Sequence, residues 1–475
     1  MKWQPFLPST KRPNIVVLIA DDLGYGDLGV YGSTSIPTPN IDHVARNGVR
    51  FLDMHASAAV CTPSRYGLLT GRYCWRTWLS RSVLGGFGAP LIAPGEATLP
   101  ALLRDQGYAT AAVGKWHLGL DWYTRGGIPL ERIQRDGWDL DGFDVDYSRP
   151  FGRGPVDCGF EYWYGMAGSL DMPPYCLIEN RLPVMTPSRE KDPYRPQQRR
   201  GLMAEEWNDE EIDARFRDKA CDLIQQFHRQ RPEDPFFLYV ASSAPHRPCL
   251  PPGSAIGRSN AGMRGDMVTV FDDMAGAIRD ALERAGELEN TLFVVTSDHG
   301  ARLTDIDGER YGHNANGELR GEKGDIYEGG HRVPFVASWP RAMKAGTVCA
   351  EPLMLPDLAA TCVDLAAGTD TPGKLNDGRS FVSLLAGENS GQPIHDAMIH
   401  HSMDGLFAVR SGPWKLVNGL GSGGFSQPTR EEPQPGEAPG QLFNLDDDMS
   451  EQNNLYQIRP DIVERLRSAL PAQAN

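Results

Sequence analysis

The chain has 475 residues, 40% of them hydrophobic and 23% charged, and a formal net charge of −15. That length calls for more core than one small domain supplies, and the residue mix is that of an ordinary globular protein. The acid excess argues against a broad nucleic-acid surface, which needs a basic face, but leaves room for a local cationic pocket around a small anion.

The opening MKWQPFLPSTKRPN lacks the apolar stretch of a secretory leader and is interrupted by Pro5 and Pro8. As written, the chain reads as cytoplasmic, or as exported if a leader has been removed. NIVVLIA (14–20) is a short, β-branched apolar run, the pattern of a strand buried on both faces. TPNIDHVARNGVRF follows, with Thr38 as helix N-cap, Pro39 in the first turn and Gly48 as the stop. AAVCTPSRYGLLTGR (58–72) predicts a short helix opening at Cys61, with Pro63 in its first turn and Gly71 ending it.

A helix near 99–106 and a strand near 109–113 come next, then a region rich in Gly, Pro, Tyr and Trp (121–203) with little periodicity, read as long loops over a site. PFFLYVAS (235–242) and TLFVVTS (291–297) read as buried strands around a long amphipathic helix over 262–285, and VPFVASWP (333–340) as one more. Strands alternating with helices predict a large, mostly parallel sheet sandwiched by helices. The division expected is an α/β domain over 1–350 and a smaller α+β part over 351–475. The latter has short strands in LFAVRSGPWKLVN and GQLFNLDDD, a flexible excursion over 421–440 and a closing helix over 459–470. No apolar run is long enough to span a bilayer. The eight cysteines show no CxxC spacing, which argues against a disulfide scaffold or a structural zinc site.

In open α/β sheets ligands bind at the carboxyl ends of the strands. Four predicted strands end in polar groups: Asp21 and Asp22 in DDLGYGD, Lys115 and His117 in GKWHLG, His246 in SAPHRP, and Asp298 and His299 in DHG. Each alone has a plain structural explanation as a turn, cap or surface residue; four together do not. Three carboxylates beside cationic donors describe a hard-cation site facing an anion, favouring calcium or magnesium over zinc. GELRGEKGDIYEGGHRVPF (317–335) adds Lys323 and Arg332 around a Gly-Gly turn.

CTPSRYGLLTGR carries a C-x-P-S-R signature with a downstream L-T-G-R. With ADDLGYGD, GKWHLG, APHRP, TSDHG and GEKGDIYEGGHRVP in register, the chain from about 13 to 340 resembles the type I sulfatases, of the alkaline-phosphatase-like superfamily. The resemblance implies that Cys61 is oxidised to formylglycine by a formylglycine-generating enzyme. It implies one calcium ion, with magnesium the lesser candidate, on Asp21, Asp22, Asp298, His299 and the modified Cys61; many family members carry Asn where this chain has His299. Arg65 would then stabilise the hydrated aldehyde, while Lys115, His117, His246 and Lys323 contact sulfate or move protons, His246 and Lys323 serving the leaving oxygen. Ser169, in MAGSLDMPP, matches a substrate-proximal serine.

The implied activity is hydrolysis of a sulfate ester, of a sugar more than of a simple aryl alcohol. The sugar preference rests on Trp122, Tyr123, Trp138, Tyr162, Trp163, Tyr164 and Tyr175, which would either stack on pyranose faces or pack their loops onto the core. A phosphate or phosphonate ester hydrolase with the same chemistry, and a non-catalytic binder with unmodified Cys61, are the alternatives. No nucleic acid or membrane insertion is expected.

Overall fold

The computed structural model describes residues 11–193, 198–305, 308–368, 375–388 and 391–472. Residues 1–10, most of the opening segment read for a leader, lie outside them. Seven strands carry the large sheet: β1 Asn14–Asp21, β2 Val49–His55, β3 Ala109–Lys115, β4 Tyr162–Met166, β5 Phe236–Pro245, β6 Thr291–Ser297 and β7 Arg332–Ser338. Their order in space is β2, β7, β6, β1, β5, β3, β4. The five strands from β6 to β4 run parallel. Strand β7 is antiparallel to both β6 and β2, so β2 points the same way as β1.

The apolar run of β1 is buried along its whole length because both faces are covered. Ile15, Val17 and Ile19 join one core cluster, while Val16, Leu18 and Ala20 join the other. The first cluster is closed by helices α2 Cys61–Thr70, α3 Leu99–Asp105 and α6 Leu355–Ala367; the second by α1 Pro39–Arg46, α4 Ile212–Gln230 and α5 Gly262–Arg284. This is the predicted mostly parallel sheet between helical layers. No helix among the described residues is long and apolar enough to cross a membrane.

A second, antiparallel sheet follows in the order β8 Met398–His401, β9 Phe407–Ser411, β10 Trp414–Val417 and β11 Gln441–Asn444. Helix α7, Pro460–Arg467, packs Ile462, Val463 and Leu466 against Val409, Leu416 and Leu442 of this sheet.

Two readings need correction. The stretch 121–203 is not only loop: it contains β4 and a hairpin of Ile178–Glu179 with Leu182–Pro183 that extends the large sheet. Nor is 421–440 a free excursion at its start. Ser422 accepts the Ile326 N–H at 2.8 Å, and the Ser426 N–H donates to Asp325 at 3.1 Å. Gly424 lies so close that an added Cβ would stand 2.2 Å from the Gly324 carbonyl carbon. Strands β2 and β8 and helix α4 were not foreseen.

Candidate active site

The parallel topology places the polar strand ends side by side. Asp21 is the last residue of β1 and Lys115 the last of β3, His246 follows β5, and Asp298 follows β6 with its N–H donated to Ala20 at 3.1 Å. Asp22 and His117 turn the chain away with φ of 67° and 57°, left-handed values that cost a non-glycine residue energy and that persist where surrounding structure enforces them. Because β2 shares the direction of β1, its exit reaches the same edge and feeds Cys61, the first residue of α2. That helix is buried throughout and ends where predicted, with Gly71 left-handed and its N–H on the Gly67 carbonyl at 2.9 Å. The Lys323 loop enters beside it: Gly324 N–H donates to Ala59 at 2.7 Å and Lys323 N–H to Ala301 at 2.9 Å.

Asp21, Asp22, Cys61 and His299 each offer a ligand atom, all within 4.8 Å of one another and all buried. Lys115 Nζ donates to Asp21 Oδ2, and Lys323 Nζ to Asp22 Oδ1, each at 2.6 Å. His299 Nε2 lies 3.1 Å from Cys61 Sγ and 3.4 Å from an oxygen of Asp22 and of Asp298. His246 Nε2 lies 3.9 Å from Asp22 Oδ2. Arg65 donates through Nε to Asp298 Oδ2 at 2.9 Å and through Nη1 to the Lys115 carbonyl at 3.2 Å. His117 joins through its backbone, whose carbonyl accepts the Thr62 hydroxyl at 3.0 Å, and its Nε2 lies 2.7 Å from the Leu84 carbonyl. Ser169 stands on the loop after β4; its Oγ is buried without a hydrogen bond, so none ties it to these residues.

Charge and burial together decide the protonation states. Burial works against ionised Asp21, but Lys115, His246, Arg65 and Lys323 outweigh it and hold the carboxyl well below its usual range. Asp22 is lowered against burial by Lys323, His246 and His299. At Asp298 burial wins, and its carboxyl is raised despite His299 and Arg65. Burial raises the Cys61 thiol, yet Lys115, Lys323 and His299 bring it down to about 6 against the opposing charge of Asp21. His117 is held well below the ordinary histidine value by burial and by Lys115, so it is neutral.

Beneath the site lies support that sequence reasoning missed. Arg264 of α5 forks onto Asp27 at 2.9 and 2.8 Å and donates to the Asp22 carbonyl at 2.7 Å, while His313 meets Asp27 at 2.8 Å. The available signal was Arg264 with Asp266 opening a helix whose next residues, Met267 to Phe271, are mostly apolar. The aromatic residues resolve toward packing: Trp122, Trp163 and Tyr175 are buried in the two cores. Arg149 covers the Tyr123 ring, Arg199 that of Trp138, and Lys219 those of Tyr162 and Tyr164.

The sulfatase family model matches residues 13–369. The chain belongs to the sulfatase family. It is 30% identical to an N-acetylgalactosamine-6-O-sulfatase of Bacteroides thetaiotaomicron over 97% of this chain and 93% of that protein. With the steryl-sulfatase of Mus musculus it shares 33% identity over 86% of this chain and 71% of that one. A solved 6S-sulfatase from the glycosaminoglycan metabolism of Bacteroides thetaiotaomicron superposes with a TM-score of 0.83 at 27% identity, covering 97% and 98% of the two chains.

This sulfatase is thus a sulfuric ester hydrolase. Its family generally uses formylglycine and a divalent metal, and the residues present fit a cation. Asp22 Oδ2 is buried with no hydrogen bond, and adjacent buried carboxylates with one imidazole make an oxygen-rich donor set. The two lysines supply the positive charge that such carboxylates demand.

Proposed function

We propose that this sulfatase hydrolyses the sulfate ester of a carbohydrate, with residue 61 acting as formylglycine and a calcium ion at the strand ends. The observation that carries the reading is the meeting of Cys61, at a helix start, with Asp21, Asp22 and His299 under two buried lysines. Support for the sugar comes from the N-acetylgalactosamine-6-O-sulfatase, which matches nearly end to end. Formylglycine supplies, as its hydrate, an oxygen nucleophile that displaces an alcohol from sulfur. Asp21, Asp22, Asp298, His299 and residue 61 would hold the calcium ion, whose charge would acidify that nucleophile.

The chain's own residues do the rest. Arg65, fixed on Asp298 and on the Lys115 carbonyl, orients the metal carboxylates. Lys115 Nζ and Lys323 Nζ, held on Asp21 and Asp22, are the cationic donors that would hold the sulfate oxygens. Lys323 Nζ and His246 Nε2 stand on the Asp22 side and deliver the proton that the departing alcohol needs. His117, its Nε2–H on the Leu84 carbonyl, keeps a buried, unpartnered Nδ1 as the acceptor that takes a proton when sulfate is released.

Two measurements test this. Intact-mass analysis of the Cys61 peptide from the native source is expected to show the aldehyde; thiol alone sinks the mechanism. Comparing kcat/KM for 6-sulfated N-acetylgalactosamine and a chromogenic aryl sulfate is expected to favour the sugar. Turnover of the aryl ester alone would reverse the substrate assignment.

A further inference from the structure

Away from the strand ends, the protein buries a second set of metal-capable side chains. His55 ends β2, His331 immediately precedes β7 and His400 lies in β8, so three distant segments converge where the two sheets meet. Each of the three is fully buried, and one ring nitrogen from each falls within 4.8 Å of the others. We propose that His55, His331 and His400 bind a divalent d-block cation, zinc in the first instance, distinct from the cation at the strand ends.

The hydrogen bonds around the rings carry the argument. Every ring turns one nitrogen to an outer oxygen: His55 Nε2 to Asp53 Oδ1 at 2.6 Å, His331 Nε2 to the Ile326 carbonyl at 3.1 Å, and His400 Nδ1 to the Ala56 carbonyl at 3.2 Å. An oxygen acceptor favours the proton on the nitrogen that faces it, the outer contact typical of metal-bound imidazoles; at His331 Nε2 the Lys415 ammonium stands at the same 3.1 Å and pulls toward the other tautomer. The inner nitrogens are then lone pairs. His55 Nδ1 and His331 Nδ1 face each other at 3.0 Å, an opposition that a shared cation relieves, and His400 Nε2 is buried with no hydrogen bond. Burial lowers all three imidazoles, keeping them neutral as ligands must be. Three neutral nitrogens suit zinc, whereas calcium takes oxygens.

The charged surroundings permit a cation. Arg332, Arg410 and Lys415 are matched by Asp53, Glu328 and Glu451. Lys415 Nζ, 3.1 Å from His331 Nε2, already has carboxylates at 3.0 and 2.8 Å, and Arg410, 2.9 Å from His55 Nε2, forks onto Asp53. The competing arrangement is a metal-free chain in which Lys415 donates to His331, His331 to His55 and His55 to Asp53. That chain leaves the Ile326 carbonyl facing a lone pair and His400 Nε2 with nothing. The rings of His331 and His400 lie stacked, with centroids 4.2 Å apart and planes 8° apart, so a shared ion requires one ring to tilt.

The test counts zinc in full-length protein made in zinc-supplemented medium, carrying Cys61→Ser and purified in excess calcium to keep zinc from the strand-end site. About one zinc per chain is expected, with histidine nitrogens at roughly 2.0–2.1 Å by X-ray absorption. Adding His400→Gln or His331→Gln is expected to weaken retention about 10-fold or more, while His401→Gln leaves it unchanged. Absence of zinc, a first shell without histidine nitrogen, or retention unaffected by both substitutions would overturn the proposal in favour of the metal-free chain. The zinc count and absorption spectrum of the Cys61→Ser protein decide the matter even if the histidine variants do not fold, and neither depends on sulfatase turnover.

Discussion

The two buried polar clusters differ in chemistry more than in burial. At the strand ends, carboxylates dominate and two lysines stand directly on them; at the meeting of the sheets, three imidazoles face inward and the carboxylates lie outside. The first set is assembled mainly by neighbouring parallel strands that end at one edge, the second by the end of β2, the residue before β7, 276 positions further on, and β8 of the second sheet. The difference teaches that burial alone does not define a site. What the inward atoms are, and what their outer partners require, decides which ion and which chemistry each cluster can serve.

The largest expected effect separates the clusters by function. Cys61→Ala should lower kcat on the order of 10⁴-fold or more with little change in melting temperature, because it removes the precursor of the proposed nucleophile. His400→Gln should leave kcat within a few-fold; parallel losses would erase the distinction. Next is Lys415→Met, which leaves Glu451 without its buried cation and Glu328 with Arg332 and Arg410 alone. Urea denaturation should register a loss of about 3–5 kcal/mol. A near-neutral result would mean that these carboxylates are already protonated.

Lys323→Ala should cut kcat about 10²- to 10³-fold on a sugar sulfate. The cut should be smaller on an aryl sulfate, whose phenolate leaves without a proton. Equal losses would assign Lys323 to charge stabilisation only. The smallest effect concerns Glu451, where burial and Glu328 push the carboxyl from 4.5 up to about 7 against the pull of Lys415. A raised folded pKa means that the native state holds the proton more tightly than the unfolded chain. This contribution to stability is complete below about 4.5 and is lost as pH rises through about 7. Glu451→Gln should flatten that part of the stability-pH curve, whereas Asp21 and Asp22, lowered in the fold, lose their contribution only on acidification below the usual carboxylate range.

The strand-end site was legible because each apolar run leads into polar or charged residues, so β1, β3, β5 and β6 announced both themselves and their polar ends. Strand β2, VRFLDMH, was not, since its alternation is broken at Leu52 and Asp53, and Asp53 looks like a surface residue until Arg332 and Arg410 cover it. Helix α4 was passed over although only one of its faces is apolar, as an amphipathic helix requires. The role of the aromatic residues stayed open in the sequence because a tryptophan in a loop looks the same whether it faces a ligand or the core; Trp122 sits against Phe87, Tyr147 and Phe151.

By itself the sequence determined the layered α/β architecture, the edge on which chemistry gathers, and the identity of Cys61, Asp21, Asp22, Asp298 and His299 as candidates. All but Cys61 follow from local pattern, since hydrophobic period and strand-end polarity are set by residues near one another in the chain, whereas Cys61 is marked by the C-x-P-S-R motif through which the chain resembles the type I sulfatases. Only the tertiary structure decided that Ser422 and Gly424 brace the Lys323 loop, that Arg264 and His313 hold Asp27 below the site, and that His55, His331 and His400 meet at all. These depend on long-range packing, where a side chain's partners come from the fold of distant segments and leave no periodic trace in the chain.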